Sequence, residues 1–359
     1  MKNSLMFLVT SFALLFMGCR DEPTVAAPGG GGTVTPGQDQ NWLISESEVF
    51  DGGPGKDGIP SVDNPKFIGT EMIDYMGNDD LVLAFTMGGE TKAYTHPVLD
   101  WHEIVNDRIG GKDIAITYCP LTGTGSAWDR QVGGKTTTFG VSGLLYRNNI
   151  IPYDRESGSN WSQIRLECVQ GPLKSTRVKT FPMVEMPWRT WKTMFPAEAV
   201  LSTETGFSRN YGRYPYGGYR TNNQQLLFPV GEADDRLPNK DRVLAVIINQ
   251  EVKVYTFDSF KNGVTVIKDD FQGKSMIIVG SQPDNFIMAY EAVNGTNNLD
   301  YQPKDLAPGG IVMTDNQGSD WNIFGHAVNG PNAGTQLGTL DVCIGYWFSF
   351  GAFYDPEIY

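Results

Sequence analysis

Cysteine is scarce in this chain of 359 residues, which has four, and histidine scarcer still, with three. Any histidine-ligated metal site must therefore draw on His96, His102 or His326, and their spacing matches no standard zinc motif. Net positive charge is lacking too. A balance of −13 sets nucleic acid and anionic lipid aside as main partners, because neither is attracted to such a surface. The sequence around Ser126 carries no GxSxG, and the local signatures of cysteine proteases are absent. Gly123-Thr124-Gly125 lacks the third glycine and the following helix of a phosphate-binding loop. Leu5–Gly18 is apolar but shorter than the roughly 20 residues a membrane span needs.

What is present begins with that apolar run. Lys2 and the run read as a signal peptide over 1–18. Gly18-Cys19 then resembles the lipobox of bacterial lipoproteins, which makes Cys19 the lipid attachment point and the membrane a partner through the lipid alone. Arg20-Asp21-Glu22 resembles the export tag of surface lipoproteins, which implies display at the outer membrane. Residues 19–40, rich in Gly, Pro and Thr, bury too little apolar surface to offset their ordering entropy and read as a flexible tether. The roughly 320 residues that follow suffice for a large core or two smaller ones.

Those residues contain an internal repeat. DLVLAFTMGGETKAYT (80–95) matches DRVLAVIINQEVKVYT (241–256), and GGKDIAITY (110–118) matches QGKSMIIVG (272–280). GSNW and VQGP in the first half recur as GSDW and VNGP in the second. The short β-branched runs bounded by Gly or Asn predict strands, MGGE and VGGK predict hairpin turns, and Pro187–Phe195 predicts a helix. His102–Asp107 reads as a second helical turn. The fold class is mainly β: two homologous β-rich repeats, sandwich- or barrel-like, with few short helices. The first spans 41–205, an aromatic connector 206–235, and the second 236–359.

Asp100–Arg130 (DWHEIVNDRIGGKDIAITYCPLTGTGSAWDR) and Thr138–Ile164, with Phe50–Phe67 and Tyr211–Tyr219, resemble an exported bacterial family catalogued as domain of unknown function 3179. The resemblance implies a fold and a site but no reaction. Members often read CPLC where this chain has Thr122, so a two-thiol site on that pair cannot operate here.

With Cys19 lipidated, three cysteines remain, so at least one is free or pairs between molecules. Cys168 and Cys343 read as small buried residues, although a bond between them is left open. Cys119 falls opposite Ser281 in the repeat, and His102 near Gly263, as for a site grafted onto a duplicated frame. His96, His102 and Cys119 could ligate copper or zinc. Alternatively, Cys119 is a nucleophile with His102 as base, oriented by Glu103 or Asp100. Arg209, Arg213, Tyr211 and Tyr216 suit stacking on a ligand, and equally a packed connector. The reading is an envelope lipoprotein that binds a metal ion or small ligand without catalysis. A thiol-dependent enzyme and a structural part of an outer-membrane assembly are the alternatives.

Overall fold

The computed structural model describes residues 42–293 and 295–359. Cys19, the signal peptide and the tether lie outside the described residues. The body is mainly β, with three α-helices among the described residues, His96–His102, Trp188–Met194 and Trp347–Phe353. The strands form several open sheets, and none of them closes into a barrel.

Leu81–Met87 and Glu90–Thr95 form a hairpin. Its turn uses Gly88 and Gly89 at φ 60° and 82°, the positive pair that a two-residue turn between right-twisted strands requires. The helix His96–His102 follows, then an antiparallel meander of Ile104–Ile109, Lys112–Cys119 and Thr124–Asp129. A five-stranded sheet comes next, after which Val184–Pro187 returns to pair with Leu81–Met87. Trp188–Met194 and the parallel strand Ala199–Leu201 end the series.

The same order occurs again from Arg242. Arg242–Ile248 and Glu251–Thr256 pair, and Thr265–Phe271, Lys274–Ser281 and Phe286–Glu291 form the meander. A three-stranded sheet follows, then Asp341–Tyr346 returns to Arg242–Ile248, and Trp347–Phe353 precedes the parallel strand Glu357–Ile358. Local chemistry is duplicated as well. Tyr94 donates to Asp107 at 2.7 Å beside Lys92, and Tyr255 donates to Asp269 at 2.7 Å beside Lys253. Trp161 Nε1 donates to Asp154 at 3.0 Å, and Trp321 Nε1 to Asp315 at 2.9 Å.

The two halves share one core. Val82, Met186 and Trp191 pack in the same apolar cluster as Leu244, Ile278 and Trp321. Each returning strand lies against the other half's meander, Val184–Pro187 beside Phe286–Glu291 and Asp341–Tyr346 beside Thr124–Asp129.

The recurring Gly-Pro pairs have a steric cause. A Cβ on Gly171 would lie 2.8 Å from Ser159 Cα, and one on Gly330 would lie 2.6 Å from Ser319 Cα. Both glycines also hold positive φ, 103° and 75°. Gly171→Ala should therefore destabilise the body by about 3 kcal/mol, from overpacking and backbone strain together. Urea unfolding checks this, and a loss below about 1 kcal/mol would show that the contact relaxes freely.

The turn of helix expected at His102–Asp107 is not there. The helix begins earlier, at His96, with Pro97 in its first turn, and ends at His102. The β-branched Ile104 and Val105 then open a strand against Lys112–Cys119, with Val105 also bridging Val62.

Candidate functional site

Cys119 ends its strand, and the next residues turn back so that Gly123 N–H bonds the Cys119 carbonyl at 2.8 Å. Its side chain is fully buried, and Sγ donates to the Asn148 carbonyl at 3.4 Å. Burial pushes the thiol up to about 11, against small opposing contributions from Thr122. At neutral pH it is a protonated thiol, a poor nucleophile and a poor ligand.

His102 is committed elsewhere. Nδ1 lies 2.7 Å from the Pro60 carbonyl and Nε2 lies 2.8 Å from the Tyr211 hydroxyl. A carbonyl only accepts, so Nδ1 carries the proton and Nε2 takes the Tyr211 proton; Thr205 Oγ1, 2.5 Å away, donates to Tyr211 in turn. Burial lowers the imidazole's pKa, which keeps this neutral form in place. His96 sits 3.1 Å from the Glu185 carboxylate, and its ring centroid lies 4.4 Å from that of Tyr118. No hydrogen bond joins His102 to Cys119. Among the described residues, no three His, Cys, Asp or Glu side chains converge as a metal-holding group, His96, His102 and Cys119 included. Cys119, Cys168 and Cys343 are all free thiols.

What does gather around Cys119 is a set of buried charged groups. Glu103, between the helix and the strand Ile104–Ile109, is buried and takes φ 57°, unusual for a residue with a side chain. Burial alone pushes its carboxyl up to about 8, and it interacts electrostatically with Cys119 and Tyr216. Asp100 accepts from Arg220 Nη2 at 2.7 Å through Oδ2, while Oδ1 has no partner among the described residues. Burial raises its carboxyl to about 6 despite the pull of Arg220.

Lys240 completes the set. It is 8% exposed, and Nζ has no hydrogen-bond partner among the described residues. Three rings face the amine, with centroids 3.3 Å away for Tyr219, 4.6 Å for Phe348 and 5.3 Å for Tyr346. Burial pulls it down to about 7, and Cys119 is near enough to oppose that shift.

The cover over this set is the connector, whose only regular element is the 3-10 turn Tyr219–Thr221. Tyr214 and Tyr219 donate to the Pro120 and Leu121 carbonyls at 3.2 and 2.9 Å. Arg220 reaches Asp100 and lies 3.6 Å over the Tyr214 ring. Asn148 clasps Phe228 with two hydrogen bonds, and Trp101 Nε1 donates to the Arg213 carbonyl at 3.1 Å. Irregular segments of this length in compact proteins are commonly lids or binding loops.

Of the connector residues singled out in the sequence, Tyr216 reaches the set and Tyr211 holds His102. Arg213 is exposed, and Arg209 donates to the Ser208 carbonyl at 3.2 Å. Arg220, from the same Arg- and Tyr-rich stretch, pairs with Asp100, whereas Lys240 was missed. One signal could have found Lys240: it precedes Asp241 as Asp79 precedes Asp80, so the repeat changes charge there. Asp79 is exposed and pairs with Arg189. A separate open groove of about 500 Å³, lined by Arg177, Asn249, Gln250, Lys274, Thr339 and Asp341, holds no unpartnered buried polar atom.

The model of a family described as protein of unknown function (DUF3179) matches residues 56–357. No curated protein and no solved structure shows significant similarity to the chain.

Proposed function

The chain belongs to this family of unknown function, so its role has to be read from the site, and we propose that the body is a small-ligand binding module. The ligand is organic, with an apolar or aromatic part and one group that meets Lys240. It occupies the space between Cys119 and the connector once the connector opens. One observation carries this reading. Asp100 Oδ1 and Lys240 Nζ are buried with no hydrogen-bond partner among the described residues, whereas native proteins satisfy nearly all such atoms. Strain at Glu103 and the irregular cover support it.

The geometry favours binding over thiol catalysis, since burial outweighs the hydrogen bonds that favour the Cys119 thiolate and both His102 nitrogens are engaged. It favours an organic ligand over copper or zinc because no donor set converges among the described residues. The module sits at the cell envelope, lipid-anchored through Cys19 and displayed on the outer membrane, a proposal that rests on the N-terminal sequence.

The test is a thermal-shift screen of the mature protein against small aromatic and aliphatic carboxylates, carbonyl compounds and alcohols. Binders such as benzoate should raise Tm in wild type and fail to do so in Lys240→Met, which keeps the apolar stem and removes the amine. No saturable stabiliser across the panel would contradict the reading.

A further inference from the structure

Lys240 does not resemble a structural lysine. Buried ammonium groups are ordinarily paired with carboxylates, because an unpaired buried charge is costly. Here the neighbouring acids are taken or lack charge. Asp100 is held by Arg220, Glu185 by Arg242 and His96, and Glu103 keeps its proton at neutral pH. Nζ is left among the faces of Tyr219, Phe348 and Tyr346, with a protonated thiol as its polar neighbour. The ring faces attract an ammonium, yet burial without a carboxylate partner pulls the amine down to about 7, which leaves a neutral, nucleophilic fraction at neutral pH. The position before the matching sequence block of the first half holds the exposed Asp79.

We propose that Lys240 binds its ligand covalently, as an imine between Nζ and the carbonyl carbon of a small aldehyde or ketone with an apolar or aromatic body. This rests on the binding reading above and names the chemical class of the ligand. The neutral amine adds its lone pair to the carbonyl carbon, forming the C–N bond while the carbonyl π pair moves onto oxygen. A proton passes from nitrogen to that oxygen, giving a carbinolamine. The hydroxyl group then leaves as water and the second N–H proton is lost, so amine plus carbonyl compound gives imine plus water with no change of oxidation state. The proton lost from nitrogen balances the one taken up by the departing hydroxyl, so the step consumes no outside acid. The three rings exclude bulk water and so oppose hydrolysis of the product.

The experiment incubates the mature protein at pH 7 with benzaldehyde and cyanoborohydride, which reduces the imine to a stable secondary amine, and locates the adduct by peptide mass spectrometry. The expected result is an addition equal to benzaldehyde less one oxygen at Lys240. It should form on the order of tenfold or more faster than at any other lysine, because an ordinary lysine is almost wholly protonated at that pH. Lys240→Met and Lys240→Arg should abolish that leading adduct, with circular dichroism confirming that both fold. Labelling spread evenly over surface lysines, or an adduct first at Cys119, would overturn the inference. Benzoate stabilisation separates the two claims. If it persists and depends on Lys240 while no imine is trapped, the binding reading stands and the covalent inference fails; if both are absent, both fail.

Discussion

Glu103→Gln is expected to stabilise the protein by about 3 kcal/mol at pH 7. The glutamate carboxyl is buried, has no charged partner, and is pushed up to about 8 from an ordinary value of 4.5. Its folded-state pKa is raised, so between those two values the folded state keeps a proton that the unfolded chain releases. Stability associated with this group is therefore fully present at pH 4.5 and falls as pH rises toward 8. Glutamine has the shape of the neutral acid and does not titrate. The gain on substitution should vanish near pH 4.5, reach about 3 kcal/mol at pH 7 and grow to the order of 5 kcal/mol above pH 8. Urea unfolding of both proteins at pH 4.5 and 7.5 measures it, and the difference cancels groups that titrate alike in the two chains. A gain independent of pH, or a loss at pH 7.5, would mean that Glu103 has a partner in solution.

Arg242→Met should act in the opposite direction and as strongly. Glu185, on the returning strand of the first half, is 2% exposed, and its carboxylate is gripped by Arg242 from the second half and by His96 at 3.1 Å. Burial pushes the carboxyl up, yet Arg242 and His96 together hold it below its usual range. Removing the guanidinium leaves a buried carboxylate with only an imidazole beside it, which should cost about 3–5 kcal/mol at pH 7. The folded pKa is depressed, so this contribution is present at neutral pH and is lost as pH falls through the carboxylate range. The loss in Arg242→Met should shrink in acid accordingly. The double variant with Glu185→Gln should recover part of it, because the stranded charge is then gone. A change within about 0.5 kcal/mol at pH 7 would show that water reaches Glu185 and replaces the arginine.

Local patterns in the sequence carried much of the fold. The Gly-Gly turns, the β-branched strands and the helix after Pro187 are local signals, and the structure has them at Gly88-Gly89, Gly133-Gly134 and Trp188–Met194. The matched blocks end in matched side-chain chemistry at Tyr94–Asp107 and Tyr255–Asp269. The region after His102 misled because a short amphipathic stretch fits either period, and pairing with Lys112–Cys119 decided for strand.

The neighbourhood of the candidate site was legible from Cys119 but its composition was not. What surrounds a cysteine at a strand end depends on contacts far along the chain: Asn148, which accepts from Sγ, and Lys240, whose amine interacts with the thiol. His96 and His102 looked like a ligand set because they are close in sequence. On the helix they answer to Glu185 and Tyr211, residues more than eighty positions away. Lys240 has no motif around it, and its burial under the connector could not be inferred from its surroundings in sequence.

The most direct measurement is a calorimetric titration of benzoate, or of the best stabiliser from the thermal-shift screen, into wild type and Lys240→Met at pH 7. The account predicts saturable binding of one molecule per chain in wild type and at least about tenfold weaker binding in the variant, a loss of about 1.4 kcal/mol or more. Equal affinity in the two proteins would contradict it and move the ligand away from Lys240.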